Sequence, residues 1–472
     1  MFYGREKELA SLQNLYTSPG LQMTVIYGRR RIGKSTLISE FIRGKKAIYY
    51  TATKVGAARN LELLARQIRL SLAPDFPPVA FHTIEDLFDF MTRMLPEEKT
   101  VFIIDELPYW AEKDESLLST LQKYVDNDWA KKELLIILCG SALSFMQDKV
   151  LSEKSPLFGR RSSQIRLEPF DYLDSGRFVP NYTNEEKAIC YGVTGGVAKY
   201  LSLFDPARSL DENIQRLFFS PDGFLYDEPR NLLSQEFSDI SLLNNIIEQI
   251  ASGETSLRTI ADKVHEKDNT VLYSLEKLIQ VGLVGKKCCI TEEKNRKKVQ
   301  YVLKDHMFRF WYQFIPGACS LIEIGMGAQY YTEIVKPRIH SYMGRIFEEM
   351  CILYTLREGA SGRFGCFLTN AGSWWGMEHA IDPDGKKMLQ PADVDIVGLS
   401  AANKVFLTGE CKFRNEKADR AVFDILVRRT RAIPTDYRHI AYLLFSLGGY
   451  TEWYLQELPK DLYLFTLDDL YR

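Results

Sequence analysis

The octapeptide Gly28-Arg29-Arg30-Arg31-Ile32-Gly33-Lys34-Ser35 has the residue types and spacing of a phosphate-binding P-loop. Its glycines let backbone N–H groups wrap a polyphosphate, and the helix that begins at Thr36 adds a partial positive charge. Lys34 would reach the β- and γ-phosphates, and Ser35 would offer its hydroxyl to Mg2+. The apolar run at residues 23–27 reads as a buried parallel strand, and residues 36–42 have helical periodicity. Strand, loop and helix in this order predict that residues 28–36 bind a nucleoside triphosphate. A second apolar run at residues 101–104 ends in Asp105 and Glu106, the Walker B pattern. Asp105 would hold Mg2+ through water, and Glu106 would orient or deprotonate the attacking water. A third run, residues 134–139, closes on Gly140-Ser141. Ser141 reads either as a sensor of the terminal phosphate or as the cap of a helix starting near Ala142.

A different chemistry is written near the C-terminus. Residues 393–397 read as a strand joined by a polar turn to another at 405–412. Residues two apart on a strand share a face, so Glu410 and Lys412 point together and Asp395 can meet them from the neighbouring strand. Two carboxylates beside a lysine can hold Mg2+ or Mn2+ and activate water against a phosphodiester. The plainer alternative is a pair of half-exposed strands carrying a surface salt bridge. The E-x-K spacing recurs at Glu97/Lys99, Glu185/Lys187 and Glu292/Lys294, and D-x-D at Asp126/Asp128 and Asp382/Asp384. None of these lies on an apolar strand beside a partner carboxylate. An amphipathic helix is predicted at 339–356, with Glu348 and Glu349 among its apolar positions.

Positioning these groups takes several domains, as 472 residues exceed one ordinary core. The alternation of apolar runs with helical windows at 57–72, 84–94 and 117–127 predicts a parallel sheet covered on both faces, an α/β fold. Lys+Arg of 60 against Asp+Glu of 62 leaves a net charge of −2, so any basic surface is local. The eight cysteines form no CxxC pair, which argues against zinc and a disulfide framework and for a reducing, cytoplasmic setting. The N-terminus lacks an apolar signal core, and no run approaches membrane-spanning length. The six histidines show no metal-ligand spacing.

Between the two chemistries, residues 244–251, 257–264 and 269–281 read as three short helices. A hairpin bearing Lys286, Lys287, Lys294, Arg296, Lys297 and Lys298 follows and ends at 301–303. Three helices and a basic hairpin outline a winged helix over residues 241–305. Its charge suits DNA phosphates, yet Glu254, Glu292 and Glu293 dilute it, so DNA contact and protein docking both remain open. Residues 306–336 read as a helical linker.

The N-terminal Phe2-Tyr3-Gly4-Arg5-Glu6, the basic P-loop, the Ile103–Glu106 strand end and the Leu138–Ser141 strand end together resemble the archaeal-type ATPases of the AAA+/STAND branch. The resemblance extends to Gly159-Arg160 and to residues 192–201, where Ala198 replaces the family's proline. It implies a P-loop ATPase core at 1–170, a helical lid at 171–240, and ATP as the nucleotide. Arg160 is by the same analogy an arginine-finger candidate acting across a homo-oligomer, against a plain reading as a surface arginine paired with an acid. The C-terminal constellation resembles PD-(D/E)XK nucleases, which implies Asp395 and Glu410 as metal ligands, Lys412 as the water-positioning group and Glu348 as the helix carboxylate. Trp374-Trp375-Gly376 and residues 394–397 also look like a domain of unknown function fused behind such ATPases, here residues 337–472. The expectation is an ATPase coupled to a DNA-directed nuclease-like domain. Its rivals are an ATP-driven switch or scaffold and a DNA-binding regulator whose last domain cuts nothing.

Overall fold

The computed structural model describes residues 2–292, 299–381 and 387–472. Lys294, Arg296, Lys297 and Lys298 of the expected basic hairpin therefore lie outside the described residues, as do Asp382 and Asp384. The chain divides into two compact units, Met1–Phe170 with Val197–Tyr200, and Asp171–Gly196 with Leu201–Arg472.

In the first unit, β1 (Gln22–Tyr27), β2 (Ala47–Thr51), β3 (Thr100–Asp105), β4 (Leu134–Gly140) and β5 (Ser163–Arg166) form one sheet in the order β2-β3-β4-β1-β5. All four pairings are parallel. β3 and β4 are buried along their whole length, as continuous apolar runs in a parallel sheet should be. Alternate residues feed opposite faces. Val101, Ile103, Leu135 and Ile137 pack with Leu12, Leu37 and Phe41, while Phe102, Ile104, Ile136 and Leu138 pack with Leu64, Phe88 and Leu121. Helices Glu6–Thr17 and Lys34–Phe41 thus cover one face, and Ala57–Leu72, Ile84–Met94 and Ser116–Asp126 the other. Each fully buried Leu, Ile or Phe contributes about 1.5–3 kcal/mol of transfer free energy, which holds the strand tips in a rigid row.

The second unit begins with short helices, among them Asn184–Thr194, whose capping box pairs Thr183 with Glu186. Helices Ser241–Ala251, Leu257–Val264 and Asp268–Gln280 follow, and then the antiparallel pair β6 (Val284–Lys287) and β7 (Gln300–Leu303). Leu257–Val264 starts where the Ser256 hydroxyl accepts the Thr259 N–H and stops at His265, whose φ is 56°. The aromatic helix His306–Phe314 buries Phe308, Phe310 and Phe314. Helix Ile339–Ala360 runs four residues past its predicted end at 356. It precedes a sheet of β8 (Asn370–Ile381), β9 (Lys387–Ser400), β10 (Val405–Lys412), β11 (Arg438–Ser446) and β12 (Leu462–Thr466), in the order β12-β11-β10-β9-β8. β8, β9 and β10 pair antiparallel, whereas β10, β11 and β12 run parallel, with helix Arg420–Thr430 crossing between β10 and β11. β10 is central and buried through Cys411; β9 pairs with it up to Gly409, and β11 up to Lys412. Among the described residues no helix is long and apolar enough to cross a membrane.

Candidate functional site

The P-loop joins β1 to helix Lys34–Phe41, and its shape needs its glycines. A Cβ on Gly28 would come within 2.5 Å of the Leu167 carbonyl oxygen, and Gly33 has φ +95°, a left-handed conformation that favours glycine. Arg31 is also left-handed, at φ 71°, and its carbonyl accepts the Lys199 N–H at 3.0 Å. The 197–200 turn, identified in sequence by its resemblance to a family element, thus closes onto the loop. Ile32 is fully buried in the core, so only its backbone is available to a ligand. The Arg30 guanidinium donates to the Tyr109 hydroxyl at 3.0 Å. Lys34 is buried and donates to the carbonyls of Gly28 and Arg29 at 2.9 and 3.0 Å. Burial draws its pKa below the usual lysine range, against the pull of Cys139, Glu106 and Asp105. Ser35 and Thr36 are exposed at the helix start.

At the tip of β3, Asp105 is 2% exposed and accepts three hydrogen bonds. Its Oδ2 takes the Ser35 hydroxyl at 2.8 Å and the Tyr49 hydroxyl at 2.6 Å, while its Oδ1 takes the Glu106 N–H at 2.9 Å. Burial, followed by Asp105, pushes the Tyr49 phenol far above its ordinary pKa, so it stays a donor. Tyr49 was missed in the sequence, where it reads as one more strand residue. Glu106 takes φ 50° directly after the strand, and its Oε2 accepts from the Ser141 N–H at 3.2 Å and the Ser141 hydroxyl at 2.7 Å. Ser141 therefore engages Glu106, and the short helix behind it has Ala142 at its N-cap with no side-chain cap. The hydroxyl of Ser35 and the carboxylate of Asp105 stand in contact beside a lysine, a donor set that fits Mg2+ carrying a polyphosphate. Arg160 is held bidentately by Asp126 at 2.6 and 2.8 Å, and its remaining nitrogen donates to the carbonyls of Pro156 and Phe158.

The second constellation gathers at the β9–β10 step. Asp395 on β9 accepts the Cys411 N–H on β10 at 2.8 Å. Glu410 is 6% exposed, and its Oε1 takes the Lys412 ammonium at 2.6 Å, so the two do share a face. Its Oε2 is buried with no hydrogen-bond partner among the described residues. Burial, then repulsion from Glu410 and Glu348, pushes Asp395 well above the usual carboxylate range. Burial likewise raises Glu348 on helix Ile339–Ala360, and Lys287 and Arg345 oppose that rise. For Lys412, burial pulls down, but the Glu410 charge and hydrogen bond leave a net upward shift. Asp395 thus feels the charge of both Glu410 and Glu348. Even so, no three His, Cys, Asp or Glu side chains among the described residues stand at spacing ready to hold a metal. In this conformation Lys412 occupies the Glu410 oxygen nearest to it. The orphaned Glu410 oxygen, beside an Asp395 whose pKa is raised by its acidic neighbours, is an acceptor that a divalent cation could take. Neighbouring Glu349 is bound instead by His306 at 3.0 Å and Arg309 at 3.5 Å.

Residues 2–204 match the model of an ATPase domain found predominantly in Archaea. With the P-loop, the Walker B tip and the parallel five-stranded sheet, this makes the first part of the chain an ATP-binding P-loop ATPase domain. Residues 311–422 match a model built from archaeal and bacterial proteins of unknown function. An uncharacterized protein of Methanocaldococcus jannaschii is 28% identical over 444 residues, covering 92% of this chain and 93% of its own. An uncharacterized ATP-binding protein of the same organism is 23% identical over 42% of this chain and 68% of its own length. Among solved structures, the Walker-type ATPase of Pyrococcus abyssi superposes with a TM-score of 0.50 at 19% identity, over 66% of this chain and 96% of that one. That likeness bears on the fold.

Proposed function

We propose that the ATPase domain governs a C-terminal phosphodiesterase that cleaves DNA with Mg2+ or Mn2+. The buried Oε2 of Glu410, which has no hydrogen-bond partner among the described residues and is set among Asp395, Glu348 and Lys412, carries this reading. Lys412 already meets the charge of this carboxylate through Oε1, but a buried oxygen left without a partner is itself costly, and a metal ion would satisfy it. Asp395, Glu410 and Glu348 would hold the metal, and the metal supplies charge stabilisation and a more acidic bound water. Lys412 would exchange its Glu410 contact for the attacking water once the metal takes that carboxylate. In the ATPase domain, Ser35 and Asp105 would hold Mg2+ and Lys34 the β- and γ-phosphates. Glu106 would orient the water, with Ser141 fixing the glutamate until nucleotide arrives. The reading further takes residues 171–240 as the lid and 241–305 as a winged helix that brings DNA to the site, their three helices and β6–β7 hairpin supporting it. Residues 306–336 would link it to the nuclease-like domain at 337–472. Arg160 would serve a neighbouring subunit's nucleotide only after releasing Asp126.

The test is cleavage of linear, supercoiled and single-stranded DNA with Mg2+ or Mn2+, with and without ATP, with Asp395→Ala as control. Cutting lost in the variant supports the nuclease, and ATP dependence supports the coupling. No cutting under any condition, with ATP hydrolysis intact, leaves a switch or scaffold.

A further inference from the structure

The strand β6 does not end its role at the β6–β7 pair. Beyond it, the Ile290 N–H donates to the Ser373 carbonyl of β8 at 3.1 Å, and the Cys289 thiol reaches the Trp375 carbonyl at 3.8 Å. Cys289 and Ile290 are buried in the same core as Trp374 and Val394. This anchoring lays Lys287 against the C-terminal sheet, its ammonium 5.7 Å from the centre of the Trp375 ring. Trp375 pairs in register with Asp393, and Trp374 with Val394, the residue before Asp395. The Lys287 ammonium makes no hydrogen bond or ion pair with the described residues, yet its charge is the strongest acting on Glu348. Arg345, one turn before Glu348 on the same helix, is next. Among the described residues Glu349 is its single ion-pair partner, at 4.0 Å, and that carboxylate already serves His306 and Arg309. Two cations with donors to spare therefore flank a carboxylate cluster from two different parts of the chain.

We propose that Lys287 and Arg345 form a phosphate-binding margin of the Asp395–Glu410 site, which grips a nucleic-acid phosphate next to the one being cleaved. The proposal rests on the phosphodiesterase reading and adds to it the residues that would hold the DNA strand beside the scissile phosphate. A lone phosphomonoester, seated on the metal, leaves this margin idle; a strand does not. The margin also makes the site composite, since β6 belongs to the three-helix segment and the carboxylates to the last domain.

The experiment compares the wild-type chain with Lys287→Ala, Lys287→Arg and Arg345→Gln. Three readouts are taken: Mn2+ binding by titration, oligonucleotide binding by fluorescence anisotropy with Ca2+ over a range of salt, and the KM and kcat of cleavage. Loss of one phosphate contact should raise KM about tenfold in Lys287→Ala and lower the salt slope by about one, with kcat and Mn2+ affinity near wild type. Lys287→Arg should restore both. Unchanged KM and salt slope in a cutting enzyme would overturn the margin alone. A wild-type chain that binds oligonucleotide through Lys287 without cutting supports the margin while refuting cleavage. Failure to bind any nucleic acid overturns both.

Discussion

Replacing Tyr49 with phenylalanine should weaken the ATPase domain without opening a cavity, because the ring stays and only the hydroxyl goes. That hydroxyl is one of three donors to an Asp105 carboxylate that is 2% exposed, and it stands 2.6 Å from Oδ2. A hydrogen bond to a buried charged group is worth about 1.5–3 kcal/mol. For a unit of this size each kcal/mol moves the midpoint by roughly 2–4 °C, so the nucleotide-free domain should melt roughly 3–12 °C earlier. The measurement is thermal unfolding of the full chain in EDTA, the relevant transition being the one that ATP shifts. With Mg2+ and ATP the deficit should shrink by half or more, because the cation takes over the stabilisation of Asp105. Ser35→Ala makes the contrast: it also loses a donor to Oδ2, at 2.8 Å, but removes the hydroxyl offered to Mg2+, so its deficit should persist with nucleotide. A Tyr49→Phe midpoint within a degree of wild type in EDTA, or a deficit untouched by Mg2+ and ATP, would refute the reasoning.

Glu106→Gln keeps an oxygen for Ser141 but loses the basic carboxylate, so ATP hydrolysis should fall about 10²–10⁴-fold while ATP still shifts the melting curve. Asp395→Asn should abolish metal-dependent cleavage and, by relieving repulsion with Glu410 and Glu348, raise the metal-free melting temperature; a lower one would contradict the charge clustering. His439, beside the Thr408 hydroxyl at 3.0 Å, has its pKa lowered by burial to about 4, against the pull of the Ala441 backbone and Asp461. The unfolded chain binds its proton first, so the last domain should lose stability as pH falls from 6.5 towards 4. The loss should reach roughly 2 kcal/mol after allowing for partial exposure, and His439→Gln should flatten the urea-midpoint profile across that window.

Much of the ATPase domain was legible because its chemistry is contiguous. β1, β3 and β4 read as apolar runs since a parallel sheet buries both faces, and each run ends on the residues that matter. β5 was harder: Ser163–Arg166 is a short edge strand with one buried residue, so its pattern carries little signal. At the C-terminus, the β9–β10 pairing and the shared face of Glu410 and Lys412 followed from strand periodicity. The extra turn of helix Ile339–Ala360 escaped because Arg357, Glu358 and Gly359 end the apolar spacing before the hydrogen bonding ends. For Arg160 the sequence offered a finger or a surface arginine paired with an acid; the pairing seen is with Asp126, 34 residues away, which motif position alone could not name.

The sequence by itself determined the P-loop, the Walker B tip and the E-x-K strand, since each needs only neighbours along one strand or turn and local geometry forces them together. Tertiary structure alone decided that Tyr49 holds Asp105, that Ser141 holds Glu106, and that Lys287 comes to lie over Trp375, far along the chain. Those meetings depend on strand order, register and the packing of distant segments, and residue spacing along the chain carries no record of them.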